Sequence, residues 1–256
     1  MSHIRRRSRA AHFGVAIVVA VAATMAVPLF AVASPAAAAA PTPITTCNYT
    51  ITTPGRYVVT TDLTCVNQFD FGIVIEASNV NLTLNGHTIN GQSPANSGIF
   101  VDECPASGIT DVRIAGPGTI TGFIYGVGLG EGCQGGVHDS TVSGLTITDN
   151  FEGVILQGGN FTGNVITGNT ITDNGDTGIY FAGILAPDYD TTGNMISNNT
   201  VTDNNIGIVL NTVTGSTVRA NNATGNSYRD LWDLNPCGSN VWKGNTFNIA
   251  FPTCIH

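Results

Sequence analysis

The chain has 256 residues, enough for one large domain or two small ones, and carries nine basic against seventeen acidic side chains. A chain so poor in Lys and Arg cannot neutralise a phosphate backbone, which excludes nucleic acid as a partner. Its composition also argues against helices. Residues 40–256 hold thirty-two Thr, twenty-five Asn and thirty Gly, a mixture that favours strands and turns.

Residues 1–39 read as a secretory signal peptide. Arg5, Arg6, Arg7 and Arg9 form a basic start, an apolar run follows from about Phe13 to Ala33, and alanines at 36–40 offer small-residue cleavage sites. Cleavage near Ala39 leaves five basic side chains against all seventeen acidic ones. No second long apolar run follows, so the mature chain is expected to be secreted and extracellular, without a membrane span. Its six cysteines, Cys47, Cys65, Cys104, Cys133, Cys237 and Cys254, then read as disulfides.

Residues 40–70 read as an N-terminal cap, with short strands at Tyr49–Ile51 and Tyr57–Val59 around the Pro54-Gly55 turn. Cys47 and Cys65 would staple it. Residues 71–256 form the repeat region. A Gly-apolar-x-apolar motif begins at Gly72, Gly98, Gly126, Gly153, Gly178 and Gly207, at spacings of 25 to 29 residues. A second motif places one apolar residue between Thr or Asn neighbours: Thr88-Ile89-Asn90, Thr119-Ile120-Thr121, Thr146-Ile147-Thr148, Thr170-Ile171-Thr172 and Thr200-Val201-Thr202, with weaker copies at Ala223 and Phe247.

Strands this short must pair with their equivalents one repeat away. The result is a stack of coils about 4.8 Å apart, with the first and third residues after each Gly facing inward. About seven coils make a rod roughly 34 Å long. Asn169, Asn199, Asn221 and Asn245 each lie two residues before a central residue of the second motif, so their amides are expected to bond along the stack. Asp149, Asp173 and Asp203, each followed by Asn, read as turn residues. Cys104 and Cys133 fall near equivalent points of adjacent coils and are expected to pair. Cys237 and Cys254 would clip the C-terminal segment, where Trp232, Trp242, Phe247 and Phe251 are expected to form a hydrophobic plug.

The Gly-Asn-Thr-Ile-Thr-Asp-Asn run at 168–174, its echo at 199–205 and the Gly-Ile-x-apolar strands carry a family likeness. From about residue 70 to 250 the chain resembles a right-handed parallel β-helix protein of the pectin-lyase-like superfamily, in particular its secreted bacterial members built from parallel β-helix repeats. The resemblance implies an all-β, single right-handed parallel β-helix directed at extracellular polysaccharide. It also implies a substrate cleft on the outer face of the Gly-apolar strands.

On that face the second residues after Gly are Val74, Phe100, Gly128, Ile155, Tyr180 and Val209, an apolar column. Phe100 and Tyr180 are candidate stacking platforms for sugar rings. Glu76, Asp102, Glu103 and Glu131 crowd one end and are the candidate catalytic residues. Carboxylates one coil apart lie about 5 Å from each other, close enough to split their pKa values or to recruit Ca²⁺, although no cofactor is required.

The lyases of the superfamily use an Arg or Lys base beside Ca²⁺, and no basic residue falls in these columns. Its hydrolases use paired Asp residues, and no Asp-Asp occurs here. His87, in the column of the ladder asparagines, reads as a structural substitute. His138 and His256 carry no motif. The functional expectation is a protein that binds or modifies polysaccharide, by β-elimination or glycoside hydrolysis. The competing expectation is a non-catalytic module that uses the apolar column as an interface.

Overall fold

The computed structural model describes residues 39–256 except 68, 103–107, 132–134 and 185–188. Residues Ala39–His256 form one compact unit, and every regular element among the described residues is a β-strand. The signal-peptide segment and the expected Cys104–Cys133 pair lie outside the described residues.

Two long parallel sheets run the length of the unit, with a short third one beside them. The first has nine strands, from Thr42–Ile44 to Val241–Lys243. The second, of fourteen strands, comprises two ladders joined where Thr88–Val101 and Thr119–Glu131 turn a corner and serve both. One of these ladders carries the Thr-apolar-Thr strands, and the other carries the Gly-apolar strands. Every pairing is parallel and joins equivalent positions of successive repeats, as with Thr146↔Thr170 and Ile155↔Tyr180.

The alternation expected from the sequence is observed. Ile73, Ile75, Val154, Leu156, Ile179, Phe181, Ile208 and Leu210 are all fully buried, and one continuous apolar core runs through the stack. Each coil alone could not enclose these side chains, so stacking is what removes them from water. The repeated glycine has a steric origin. A Cβ at Gly126 would stand 2.6 Å from the Gly153 carbonyl oxygen and 2.5 Å from Ile147 Cγ2, so the chain bends there against the next coil with no room for a side chain.

The asparagine column is present as expected. Asn169, Asn199 and Asn221 each direct their backbone N–H, at 3.0 Å, to the side-chain oxygen of the next asparagine, ending at Asn245. Two further ladders accompany it. One runs from Asn150 through Asn174 and Asn204 to Asn226, and the other from Ser140 through Asn164 to Asn194. These amides are buried at the corners, where the backbone donors of the bends would otherwise lack acceptors. Asp149, Asp173 and Asp203 take left-handed φ angles of 55–58° just before the second ladder, which confirms them as turn residues. His87 departs from expectation. Its Nδ1 meets Asp62 Oδ1 at 3.2 Å, because the next two residues of its column, Gly118 and Leu145, offer no side-chain acceptor.

The N-terminal strands Tyr49–Ile51 and Gly55–Val59 form where expected. They pair with Ile73–Ile75 and Val80–Thr83 rather than with each other, which makes this region a first coil. Cys47–Cys65 and Cys237–Cys254 are both formed.

The C-terminal plug is narrower than the sequence suggested. Trp242 is buried and donates from Nε1 to Asp233 Oδ2 at 2.8 Å, and Phe247 packs on the core. Trp232 and Phe251 instead lie outside, stacked on Arg229. Parallel pairing explains this: Trp232 follows Val209 in an outward column.

Candidate functional site

The outer face of the Gly-apolar ladder is built from columns that the register fixes. Because the chain bends at each glycine, the residue before it faces outward with the second residue after it. Ser97, Tyr125 and Glu152 are aligned on three coils, and Thr177, Ile206 and Arg229 on the next three. A Cβ at Gly128 would lie 3.1 Å from the Phe100 ring and 3.7 Å from Ser97 Oγ, which places both columns on one surface.

Glu152 is the chemically distinctive member. Its side chain is 8% exposed, and Oε2 is sealed from solvent without a hydrogen-bond partner. Burial, and second the charge of Asp176, push its pKa up to about 7. Asp176 sits on the adjacent coil, where its backbone N–H donates to the Phe151 carbonyl at 2.7 Å. Its Oδ1 accepts from Asn205 Nδ2 at 3.1 Å, and Ser227 Oγ donates to Asn205 Oδ1 at 3.2 Å. Asn205, itself held by Ser227, therefore fixes Asp176 near a second carboxyl, Glu152, whose pKa is raised. A neighbouring pair of carboxyls, one with a raised pKa, is a pairing that acid–base chemistry uses.

Two of the carboxylates singled out from sequence stand at the ends of strands of this ladder. Glu76 and Asp102 follow equivalent strands on adjacent coils, their N–H groups donating to Ile51 and Ile75 carbonyls at 2.9 Å. Glu76 is exposed and Asp102 half-buried. Glu131 ends the strand Thr119–Glu131 beyond a register shift and pairs with Gln157, while Glu103 lies outside the described residues. Among the described residues no group of three or more His, Cys, Asp or Glu converges as a metal site.

Tyr180 is half-exposed, and its hydroxyl accepts from Asn211 Nδ2 at 3.2 Å, so the ring is fixed on the face. Phe100 is 8% exposed, folded over the gap left by Gly128 with Phe71 at 5.6 Å, and it presents little open ring. Ile155 and Val209 are buried as well. The apolar column therefore points outward but is covered, with only Val74 and Tyr180 half-exposed.

Glu152 could have been found from sequence, because it is the one carboxylate that immediately precedes a repeat glycine. What hid it was the bend at that glycine, which turns the preceding residue out of the loop and onto the face. Three coils along the same column, the Arg229 guanidinium lies 4.7 to 4.9 Å from the rings of Tyr228, Trp232 and Phe251.

Comparison with curated proteins and with solved structures returns no match. Residues 71–251 match the family model described as "Right handed beta helix region". With most of the chain covered and every coil pairing in parallel, the chain belongs to the right-handed β-helix family and fits the pectin-lyase-like superfamily.

Proposed function

We propose that the protein is a secreted glycoside hydrolase acting on extracellular polysaccharide along the outer face of the Gly-apolar ladder. The observation that carries this reading is Glu152, a nearly buried carboxyl with a raised pKa, next to Asp176. Glu152 hands its proton to the glycosidic oxygen as the bond to the anomeric carbon breaks. Asp176 takes a proton from a water molecule whose oxygen adds to that carbon, and exchange with solvent resets both groups. Tyr180 supplies a ring for stacking. Glu76 and Asp102, at the ends of adjacent strands, contact substrate hydroxyls.

Hydrolysis is preferred to β-elimination on the residues present. The lyases of the superfamily use an Arg or Lys base, and the only cation in the outward columns described above, Arg229, stands three coils from Glu152 inside three aromatic rings. The N-terminal signal pattern and the two disulfides support an extracellular setting.

The test is a panel of neutral and acidic polysaccharides, with reducing ends and unsaturated product measured in parallel. Hydrolysis predicts reducing ends without unsaturation, and a loss of about 100-fold or more in Glu152→Gln. Full activity in that variant, or a wild type silent across the panel, would overturn the assignment and favour a binding module.

A further inference from the structure

Beyond the C-terminal ends of strands Thr177–Gly183, Ile206–Asn211 and Arg229–Asp233, a cleft of about 370 Å³ opens at the edge of the face. None of the described residues lining it is charged. Its walls include Ile184 and Leu234, both more than 40% exposed and so far without a role. Tyr189, Thr191, Thr212 and Thr214 line it with them.

Two features show that this cleft is built. A Cβ at Gly159 would lie 2.6 Å from Tyr189 Cδ1 and Cζ, so the ring is seated in a space that only glycine leaves. Thr212 holds a left-handed φ of 57°, whereas among the described residues the other non-glycine residues with positive φ are Asn or Asp, apart from Ala220. A β-branched residue there is strained, and such strain persists where the surroundings impose it. Its Oγ1 donates to Asn211 Oδ1 at 3.2 Å, which orients the hydroxyl.

The geometry points to a binding site for an uncharged sugar ring, stacked on Tyr189 and hydrogen-bonded by the threonine hydroxyls. An aromatic surface fits the apolar face of a pyranose, hydroxyls fit its edge, and the absence of cations removes any preference for a uronate. The site rests on the reading of the protein as glycan-directed, but not on the chemistry of Glu152.

Isothermal titration with maltotriose, cellotriose, triacetylchitotriose and trigalacturonate tests it. At least one neutral trisaccharide is expected to bind more tightly than trigalacturonate. Tyr189→Ala should weaken that binding at least tenfold. Thr212→Asn should raise the thermal midpoint while weakening binding, and Glu152→Gln should leave binding unchanged while abolishing turnover. The proposal is overturned if no neutral trisaccharide binds, or if binding survives Tyr189→Ala. An inactive Glu152→Gln that still binds separates this site from the catalytic reading.

Discussion

The side-chain oxygen of Asn199 accepts two hydrogen bonds from Asn169, one from its backbone N–H at 3.0 Å and one from Nδ2 at 3.1 Å. Asn199 Nδ2 in turn donates to the Ile166 carbonyl at 2.9 Å and to Asn221 at 3.0 Å. Asn199→Leu would strand the buried Asn169 N–H and take the Asn199 donor from the Ile166 carbonyl, while Asn169 Nδ2 keeps the Val142 carbonyl at 3.1 Å. At about 1–3 kcal/mol per stranded group, the variant should lose at least about 2 kcal/mol in urea unfolding. A loss below about 1 kcal/mol would mean that the ladder is ornamental to stability.

Glu152 makes stability pH-dependent in a direction opposite to that of most carboxylates. It titrates near 4.5 in the unfolded chain and near 7 in the folded one, so between these values the folded state holds the extra proton. Its contribution is fully present below about pH 4.5 and is lost as pH rises through about 7. The loss is about 2 kcal/mol once residual solvent screening is allowed for. Denaturant midpoints from pH 4 to 8 should show this fall in the wild type, and Glu152→Gln should remove it.

Asp176 is the second cause of that raised pKa, so Asp176→Asn should lower it without restoring the ordinary value, because burial remains. A carbon-detected titration of the Glu152 carboxyl reads the change directly. An unmoved or raised value would show that the two groups do not sense each other.

Two glycines should respond in opposite senses to alanine. Gly126→Ala forces a methyl against the Gly153 carbonyl and Ile147, and should cost about 2 kcal/mol or more. At Gly175 the nearest atoms stand 3.7 to 3.8 Å from the added carbon and φ is not left-handed. Gly175→Ala should therefore be neutral or stabilise by up to about 1 kcal/mol, through a less flexible unfolded chain. Thermal midpoints of the two variants decide.

The Cys237–Cys254 bridge closes a segment whose ends are 17 residues apart, and in the chain-entropy model removing it costs about 3 kcal/mol. The double Ser variant should lose hydrogen-exchange protection first at Ala250–Phe251, the last strand of its ladder. Uniform loss across all coils would contradict a local clip.

The coil architecture was readable because its determinants repeat. A glycine every 25 to 29 residues marks each close approach, and the ladder of Asn169 is visible because every member precedes an apolar residue of the second motif by two positions. The ladder of Asn150 was hidden in plain view. Three of its four members follow Asp149, Asp173 and Asp203, where Asp-Asn reads as turn composition. The burial of Phe100 was not readable, because it depends on Gly128 one coil away and on Phe71 outside the motif. The Tyr189 cleft escaped for the same reason: Tyr189, Thr212 and Leu234 come from three coils, and no single repeat contains a recognisable part of it.

The ladder bonds from Asn169 to Asn199 and from Asn199 to Asn221 span 30 and 22 residues, one coil each. A coil therefore has two correspondents, the one above and the one below, and its own length is free to vary as long as the corner asparagines meet. Whole turns could be spliced in or removed between Asn174 and Asn204 with the joints unchanged. In such a molecule, lengthening the rod and altering one loop are independent edits, so surface clefts can diversify without renegotiating the scaffold that carries them.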